Sequence, residues 1–299
     1  MFSFTERISC TIVAGGCITK STFSTVEVLT KDLGTIRLPN LPKGIDASSM
    51  VLHNGTILLC GGTNNEIKCL QLDRGTWKEH STFNQQRLLH STVTTKSATF
   101  VFGGIHSKTT YEYLQKDSTS WLMGKNEIPK RFEDGCAIAV KSEKEIWLIG
   151  GNKNEKRILS FNVNDHTFQE LPIQLNVERD SYRCAFIPKT NKIFVTGGFD
   201  ITGPLDSTEI IDTENGSVTI TTIPMNCKRF GHGIGIVTIN EEDQLAIFGG
   251  MHDWLDPYDS VEFYNTEEEK WEKMDIKLNE PKYYFGFLTI KLSDIISKF

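Results

Sequence analysis

Apolar runs that end in a pair of glycines recur along the chain, and polar stretches separate them. Each run is short, rich in β-branched and aromatic residues, and apolar at nearly every position, which predicts a strand buried on both faces. The first glycines of successive pairs are 46, 42, 47, 47 and 52 residues apart, which indicates six copies of one structural unit. The glycine pairs stand at 15–16, 61–62, 103–104, 150–151, 197–198 and 249–250.

Three further segments complete each unit. A polar loop of variable length follows the glycines and leads to an alternating segment such as 259–264, then a turn-rich tetrad and a third strand. The last segment starts with a basic residue and reads as another strand, as in 229–237. One four-stranded antiparallel sheet cannot bury both of its faces, so six are expected to stack radially. The predicted fold class is all-β, a single six-bladed propeller spanning residues 1–299.

The sixth unit combines three features that have a known counterpart. It has Gly249 and Gly250 after an apolar strand, Tyr264 and Trp271 seven residues apart, and the Arg-x-x-His segment 229–232 before its leading strand. These features resemble the Kelch repeat, and the resemblance extends over residues 8–292. It departs in the first and fifth units, where aliphatic pairs replace the aromatic pair. The resemblance implies a Kelch-type propeller and a role in protein interaction.

The two ends of the chain are expected to share one blade. The sequence begins at the glycine-pair strand of the first unit, and residues from about 283 to 291 resemble a leading strand that no glycine pair follows. Pairing the two completes blade 1 and covers edges that would otherwise promote aggregation. The tail 292–299 is expected to form a helical turn or to fray. Many Kelch adaptors for cullin ubiquitin ligases carry an additional BTB region, and this sequence is expected to lack one.

Composition and charge exclude several classes of protein. Acidic side chains outnumber basic ones by 38 to 32, and no block of Lys and Arg suits the coating of nucleic acid. No apolar run reaches the roughly 18–20 residues of a membrane span. The seven cysteines are scattered, contain no C-x-x-C, and are expected to be free thiols in a reducing compartment. With no secretory signal evident, a cytoplasmic and monomeric protein is predicted.

Motifs for catalysis and metal binding give no recognisable set. The seven histidines are dispersed, and the segment 252–256 is expected to be a solvated loop. No nucleotide-binding, metalloprotease or serine-hydrolase motif occurs. We therefore predict no cofactor, no metal and no catalytic residue. Because some Kelch propellers are enzymes, a small-molecule enzyme with a site in the central channel stays an alternative.

A basic residue precedes the leading strand of each unit. Equivalent positions in a propeller lie on one face, so these residues are expected to form a cationic mouth that binds an acidic or phosphorylated peptide. The Kelch resemblance implies the same, because residues at this point of the repeat contact acidic peptides in the adaptor branch. The competing interpretation is structural, with each side chain tying neighbouring blades together. The six residues are Lys43, Arg87, Arg131, Arg179, Arg229 and Lys282.

Two long loops after glycine pairs form a second candidate surface. These are the loops 199–206 and 251–259 of blades 5 and 6, and the second carries Trp254, Leu255 and Tyr258. Trp and Tyr are frequent hot-spot residues, and propellers carry recognition on variable loops. The competing interpretation is that the loops fold back and cap their blades.

These observations together predict a non-catalytic protein-interaction module. A protein or peptide partner is expected to bind at one face, as in substrate recognition within a larger assembly, and ubiquitin-ligase components and actin are candidate partners. Two alternatives stay open, an actin-associated structural Kelch protein and the channel enzyme named above.

Overall fold

The computed structural model describes residues 9–19, 21–30, 34–140, 143–151, 155–221, 224–239, 242–253, 255–265 and 268–296. Within these ranges the chain forms six four-stranded antiparallel sheets, each of them one blade. The predicted all-β, six-bladed propeller is therefore confirmed.

The strands of each blade follow one another along the chain, except in blade 1. Blade 1 contains β1 (Ser9–Ala14), β4 (Val26–Thr30), β5 (Gly34–Leu38) and β28 (Gly286–Lys291), and blade 2 contains β6 (Ser49–His53), β7 (Thr56–Cys60), β8 (Lys68–Asp73) and β9 (Thr76–Thr82). Blade 3 contains β10 (Ser91–Thr94), β11 (Ala98–Phe102), β12 (Tyr111–Gln115) and β13 (Leu122–Met123), and blade 4 contains β14 (Cys136–Val140), β15 (Glu145–Ile149), β16 (Arg157–Asn162) and β17 (Phe168–Gln174). Blade 5 contains β18 (Arg183–Ile187), β19 (Lys192–Thr196), β22 (Thr208–Asp212) and β23 (Val218–Ile220), and blade 6 contains β24 (Gly233–Ile239), β25 (Glu242–Phe248), β26 (Ser260–Asn265) and β27 (Lys270–Lys277). Two short hairpins lie in the loops of blades 1 and 5, β2 (Cys17–Ile18) with β3 (Ser21–Thr22) and β20 (Phe199–Asp200) with β21 (Gly203–Pro204).

The leading strands surround the propeller axis. In ring order β28, β6, β10, β14, β18 and β24 each contact the next, and β24 contacts β28. The ring is closed within blade 1, where β28 pairs antiparallel with β1 from Ser9 opposite Lys291 to Ala14 opposite Gly286. The C-terminal strand thus completes the blade that the N-terminal strands begin.

The chain after β28 forms one helical turn. Helix α1 (Leu292–Ile296) begins directly after the strand, and its residues Leu292 and Ile295 are buried. Both pack into the cluster between blades 1 and 2, with Ile57 and Trp77 among its members. The turn therefore adds apolar contacts beside the ring closure.

The hydrophobic core is divided into layers between neighbouring blades. Phe100 and Phe102 of blade 3 pack against Phe161 of blade 4, for example, with ring centroids 5.4 and 5.2 Å apart. The glycine pairs allow the next blade to approach this closely. Gly103 has a φ of +63°, and a Cβ there would lie 1.8 Å from the carbonyl oxygen of Phe132.

The expectation that the cysteines are free thiols is wrong for four of the seven. Cys60 and Cys69 form a disulfide between the paired strands β7 and β8, and Cys136 and Cys184 form one between blades 4 and 5. The sequence spacing of Cys136 and Cys184 gave no indication of their bond, because only the fold brings β14 and β18 together. The free cysteines among the described residues are Cys10, Cys17 and Cys227.

Candidate functional site

One end of the propeller carries both candidate surfaces. The loop after each glycine pair and the connector to the next blade leave the sheets at the same end, because the strands of a blade alternate in direction. We call this end the loop face. The hairpins between the first and second strands of blades 2 to 6 lie at the opposite end.

Four of the six predicted basic residues are buried in ion pairs at the loop face. Each pairs with a glutamate on the third strand of the blade that it leads into, and all of these side chains are at most 2% exposed. The pairs are Arg87–Glu112 at 3.0 Å, Arg179–Glu209 at 2.9 Å, Arg229–Glu262 at 2.5 Å and Lys282–Glu27 at 3.0 Å.

The same hydrogen bonds surround each arginine pair. In blade 6 the Arg229 Nη1 donates to the carbonyl of Gly249 at 2.7 Å, and Arg87 and Arg179 make the equivalent bond to Gly103 and Gly197. The second carboxylate oxygen of each glutamate accepts from the backbone and side-chain nitrogens of an asparagine three residues before the basic residue. These asparagines are Asn84, Asn176, Asn226 and, for the lysine pair, Asn279.

This burial does not agree with the prediction that these four side chains belong to an exposed cationic mouth. A ligand could not reach them without breaking ion pairs whose partners are themselves buried. Burial lowers the pKa of Arg87 and Arg179, and the paired glutamates oppose that shift. Of the two interpretations left open, the structural one fits Arg87, Arg179, Arg229 and Lys282.

Lys43 and Arg131 differ from the other four because they do not occupy the equivalent position. That position is marked by a carbonyl that accepts from the second glycine of the preceding blade, as Arg87 accepts from Gly62 at 3.0 Å. In blades 2 and 4 this carbonyl belongs to Ile45 and Phe132. Lys43 and Arg131 precede these residues by two and one positions, and both are exposed at the loop face.

A belt of backbone hydrogen bonds surrounds the axis at the loop face. The connector into each blade contributes one residue, which lies two positions after Ile45, Arg87, Phe132, Arg179, Arg229 or Lys282. All six contributed residues have φ between +51° and +59°. Five backbone N–H groups each donate to the carbonyl of the preceding member, at 2.7 to 3.1 Å. We call this the axial belt, and it consists of Ala47, Leu89, Asp134, Ser181, Gly231 and Tyr284.

Polar side chains occupy one side of the axial belt. The Ser181 hydroxyl donates to the Asp134 carboxylate and accepts from the Tyr284 hydroxyl at 2.5 Å. The Arg183 guanidinium lies 3.6 Å from the other Asp134 oxygen. Burial raises the pKa of Asp134 to about 6, and Arg183 and Ser181 act in the opposite direction. The sequence pattern did not point to this cluster, because Asp134, Ser181 and Tyr284 come from three different connectors and Arg183 comes from strand β18.

The long loops of blades 5 and 6 carry exposed apolar side chains. Ile201 at the tip of the β20–β21 hairpin is 89% exposed, and Leu255 is 74% exposed. Tyr258 is half-buried, and the Arg229 guanidinium lies 5.0 Å from its ring centroid. The backbone N–H of Tyr258 also donates to the carbonyl of Gly250 at 2.7 Å. Tyr258 therefore caps its blade, while Leu255 faces solvent, and the predicted contact Trp254 lies outside the described residues.

Metal-ligating groups do not converge within the described ranges, where no three His, Cys, Asp or Glu side chains form a group that could hold an ion. The side chains of His252 and Asp253 are about half exposed, and the His252 Nδ1 lies 3.9 Å from the Asp253 Oδ2. No helix in the described part of the chain is long and apolar enough to cross a membrane.

Comparisons with known proteins identify the repeat. Residues 89–297, more than half of the chain, match the family model described as the KLHDC2/KLHL20/DRC7 Kelch-repeats domain. A solved structure titled "Structure of YjhT" is similar over 83% of this chain and 88% of that chain, with a TM-score of 0.69 and 15% identity, and it supports the fold alone. No curated protein matches this chain. The glycine pairs, the six blades and the family match together show that the chain belongs to the Kelch-repeat family.

Proposed function

We propose that this Kelch propeller is a protein-interaction module whose partner binds the loop face, with its apolar contacts on blades 5 and 6. The observation that carries the proposal is the exposure of Ile201 and Leu255. They are the two most exposed large apolar side chains of the described residues, at 89% and 74%. Both lie in long loops of neighbouring blades, where two apolar anchors can enter one partner surface.

The chemistry of the partner follows from the basic groups that stay accessible elsewhere on the loop face. With four basic residues enclosed in ion pairs, Lys43 and Arg131 are the exposed members of the predicted set. Both stand on connectors of the same face and are available to carboxylate or phosphate groups. The proposed partner segment therefore carries apolar residues for blades 5 and 6 and acidic or phosphorylated residues for blades 2 and 4.

Affinity capture with matched variants tests this footprint. Ile201→Ser/Leu255→Ser removes the two apolar tips, and Ile36→Ser/Ile220→Ser removes two apolar side chains of the outer strands that are 40% and 45% exposed. Mass spectrometry of captured proteins is expected to show partners that the first variant loses and the second retains. Retention of all partners by the first variant would exclude this part of the loop face.

A second pair of variants tests the charged part of the footprint. Lys43→Ala/Arg131→Ala is expected to weaken capture of the same partners and to make the remaining binding less sensitive to salt. Lys144→Ala/Lys189→Ala removes two exposed lysines from hairpins at the opposite end and serves as the control. Unchanged capture by the first variant would contradict acidic recognition. F-actin cosedimentation with the same proteins tests the actin-associated alternative.

A further inference from the structure

The joint between blades 4 and 5 differs from the other joints of the axial belt. At each of the others a backbone hydrogen bond links the two members, as where the Gly231 N–H donates to the Ser181 carbonyl at 2.8 Å. Although all six members lie in the described part of the chain, the Ser181 N–H does not donate to the Asp134 carbonyl. The Ser181 hydroxyl donates to the Asp134 carboxylate instead. The backbone ring is therefore open between blades 4 and 5.

A disulfide crosses this open joint. Cys136 follows the belt residue Asp134 by two positions, and Cys184 follows the belt residue Ser181 by three. Their bond joins the leading strands β14 and β18 and connects positions 48 residues apart. It therefore links covalently the two blades between which the belt has no backbone hydrogen bond.

The neighbouring joint has a hydrogen bond at the same positions of the repeat. Ser91 of blade 3 occupies the position of Cys136, the first residue of the leading strand. Ala137 of blade 4 occupies the position of Cys184, the second residue of its strand. The Ala137 backbone N–H donates to the Ser91 hydroxyl at 2.8 Å. Since blades 3 and 4 pack without a covalent bond there, and since blades 4 and 5 share a buried apolar cluster, the propeller is expected to stay folded when the disulfide opens.

The two disulfides of the chain differ in their accessibility. Cys60 and Cys69 face each other across paired strands of blade 2, and both are 0% exposed. Cys136 and Cys184 are 9% and 8% exposed and lie on strands that surround the axis. Thiol–disulfide exchange requires a thiolate to reach one of the two sulfurs. The bond between blades is therefore expected to react in the folded protein, and the bond within blade 2 only when that blade unfolds.

We propose that the Cys136–Cys184 disulfide is a redox switch that controls the joint between blades 4 and 5. The thiolate of a small thiol such as glutathione attacks one sulfur and forms a mixed disulfide, while the other cysteine leaves as a thiolate and takes up a proton. A second glutathione resolves the mixed disulfide. Two glutathiones thus become one glutathione disulfide, and their two electrons and two protons are transferred to Cys136 and Cys184. Exchange with glutathione disulfide reverses the reaction and closes the joint.

Opening the bond affects the loop face through the start of β18. Arg183 directly precedes Cys184, and its guanidinium lies 3.6 Å from the Asp134 carboxylate. Ser181, on the connector into this strand, links Asp134 to the hydroxyl of Tyr284. Reduction is therefore expected to loosen the polar side of the axial belt together with the contact between the two blades.

Alkylation of the folded wild-type protein tests the accessibility of the switch. The protein is equilibrated in buffers of increasing glutathione to glutathione disulfide ratio, quenched with acid and alkylated in denaturant, and its peptides are identified by mass spectrometry. Cys136 and Cys184 are expected to become labelled together while Cys60 and Cys69 stay joined and the circular dichroism is unchanged. Free Cys136 and Cys184 under oxidising conditions, or opening that requires unfolding, would overturn the proposal.

Hydrogen exchange measures the joint itself. The amides of Asp134 and Gly231 donate the belt bonds on either side of the open joint. In reduced wild type both are expected to exchange about tenfold faster than in oxidised wild type, because local opening there becomes less costly. The Ala47 amide, which donates to the Tyr284 carbonyl between blades 1 and 2, is expected to keep its rate. Equal rates at Asp134 and Gly231 in both states would show that the disulfide does not control the joint.

Two double variants assign the response to one disulfide. Cys136→Ser/Cys184→Ala copies the hydrogen-bonded joint of blades 3 and 4, and its exchange rates are expected to be the same with glutathione and with glutathione disulfide. Cys60→Ala/Cys69→Ala keeps the bond between blades and is expected to respond as the wild type does. A response that persists in the first variant, or that is lost in a folded second variant, would contradict the assignment.

Discussion

At the residue scale, the buried basic residue and the buried glutamate of a blade are either both present or both replaced by apolar residues. Blades 1, 3, 5 and 6 pair a buried basic residue with a buried glutamate. In blade 2 the corresponding positions hold Ile45 and Leu70, and in blade 4 they hold Phe132 and Leu159, all buried. A single buried charge without its partner is strongly destabilising, so only a replacement of both residues preserves the blade.

The coupling predicts the stability of variants in blade 6. Arg229→Met leaves the Glu262 carboxylate buried without its cation and is expected to lower the free energy of unfolding by about 3–5 kcal/mol. Arg229→Met/Glu262→Leu, which copies the apolar solution of blades 2 and 4, is expected to recover much of this loss. Urea unfolding of both, with the exposed neighbour Lys228→Met as control, measures the difference. A double variant no more stable than Arg229→Met would contradict the coupling.

The raised pKa of Asp134 predicts that its contribution to stability falls as the pH rises, which is the opposite of the usual behaviour of a carboxyl group. Its folded-state pKa of about 6 lies above the ordinary value of 3.8 because the carboxyl is buried. Between these values the folded state keeps a proton that the unfolded state has released, so the Asp134 contribution to stability falls as the pH rises through this window. The free energy of unfolding of the wild type relative to Asp134→Asn, measured from pH 4 to pH 7, is expected to fall and then level off. A constant difference would exclude a raised pKa.

At the element scale, the sequence predicted the strands of the propeller but left open whether its repeated basic residues are structural or bind a ligand. The glycine pairs identified the six buried strands because each pair needs a backbone that other residues rarely adopt. The sequence also contains the signal for the ion pairs, since asparagine precedes the four buried basic residues by three positions and Ser or Thr precedes each glutamate by two. Proline stands in the asparagine position before Ile45 and Phe132, at Pro42 and Pro129. The axial belt and the Cys136–Cys184 disulfide depend on contacts between blades, which one unit does not reveal.

The axial belt predicts the effect of a glycine at Ala47. Ala47 has a φ of +53°, a conformation that costs an L-residue roughly 1–2 kcal/mol and a glycine very little. Ala47→Gly is therefore expected to keep or raise the free energy of unfolding, although glycine carries an entropic cost. Ala139→Gly, in the regular strand β14, is the matched control and is expected to lose about 0.5–1 kcal/mol. Equal destabilisation by both would show that the left-handed backbone stores no strain.

At the scale of the whole molecule, the ring is held by one pair of strands that are distant in the chain. The contact between Cys10 and Ile290 spans 280 positions. The pairing of β28 with β1 leaves β1 with a strand on each side, and the cluster between blades 1 and 2 includes residues from both β28 and β1. The circular arrangement therefore depends on a strand that follows all the other blades.

A truncated chain and a circularly permuted chain separate the contribution of strand β28 from the contribution of the order of the strands along the chain. A chain ending at Pro281 lacks β28 and is expected to lose cooperative unfolding and to aggregate, because β1 becomes an edge. A permuted chain that joins the two ends by a linker and opens at the exposed Arg74 in the β8–β9 turn keeps every strand pairing and is expected to fold. Circular dichroism and size exclusion distinguish the two. A monomeric truncated chain with the melting temperature of the full chain would contradict this role.

The ring closure also sets a delay during synthesis. At the usual 5–20 residues per second, a ribosome needs roughly 15–55 seconds to proceed from β1 to β28. Throughout that interval β1 has no partner on one side, however completely the later blades have formed. The nascent chain therefore presents an unpaired strand until its last blade has been made, and molecular chaperones have that period in which to cover it.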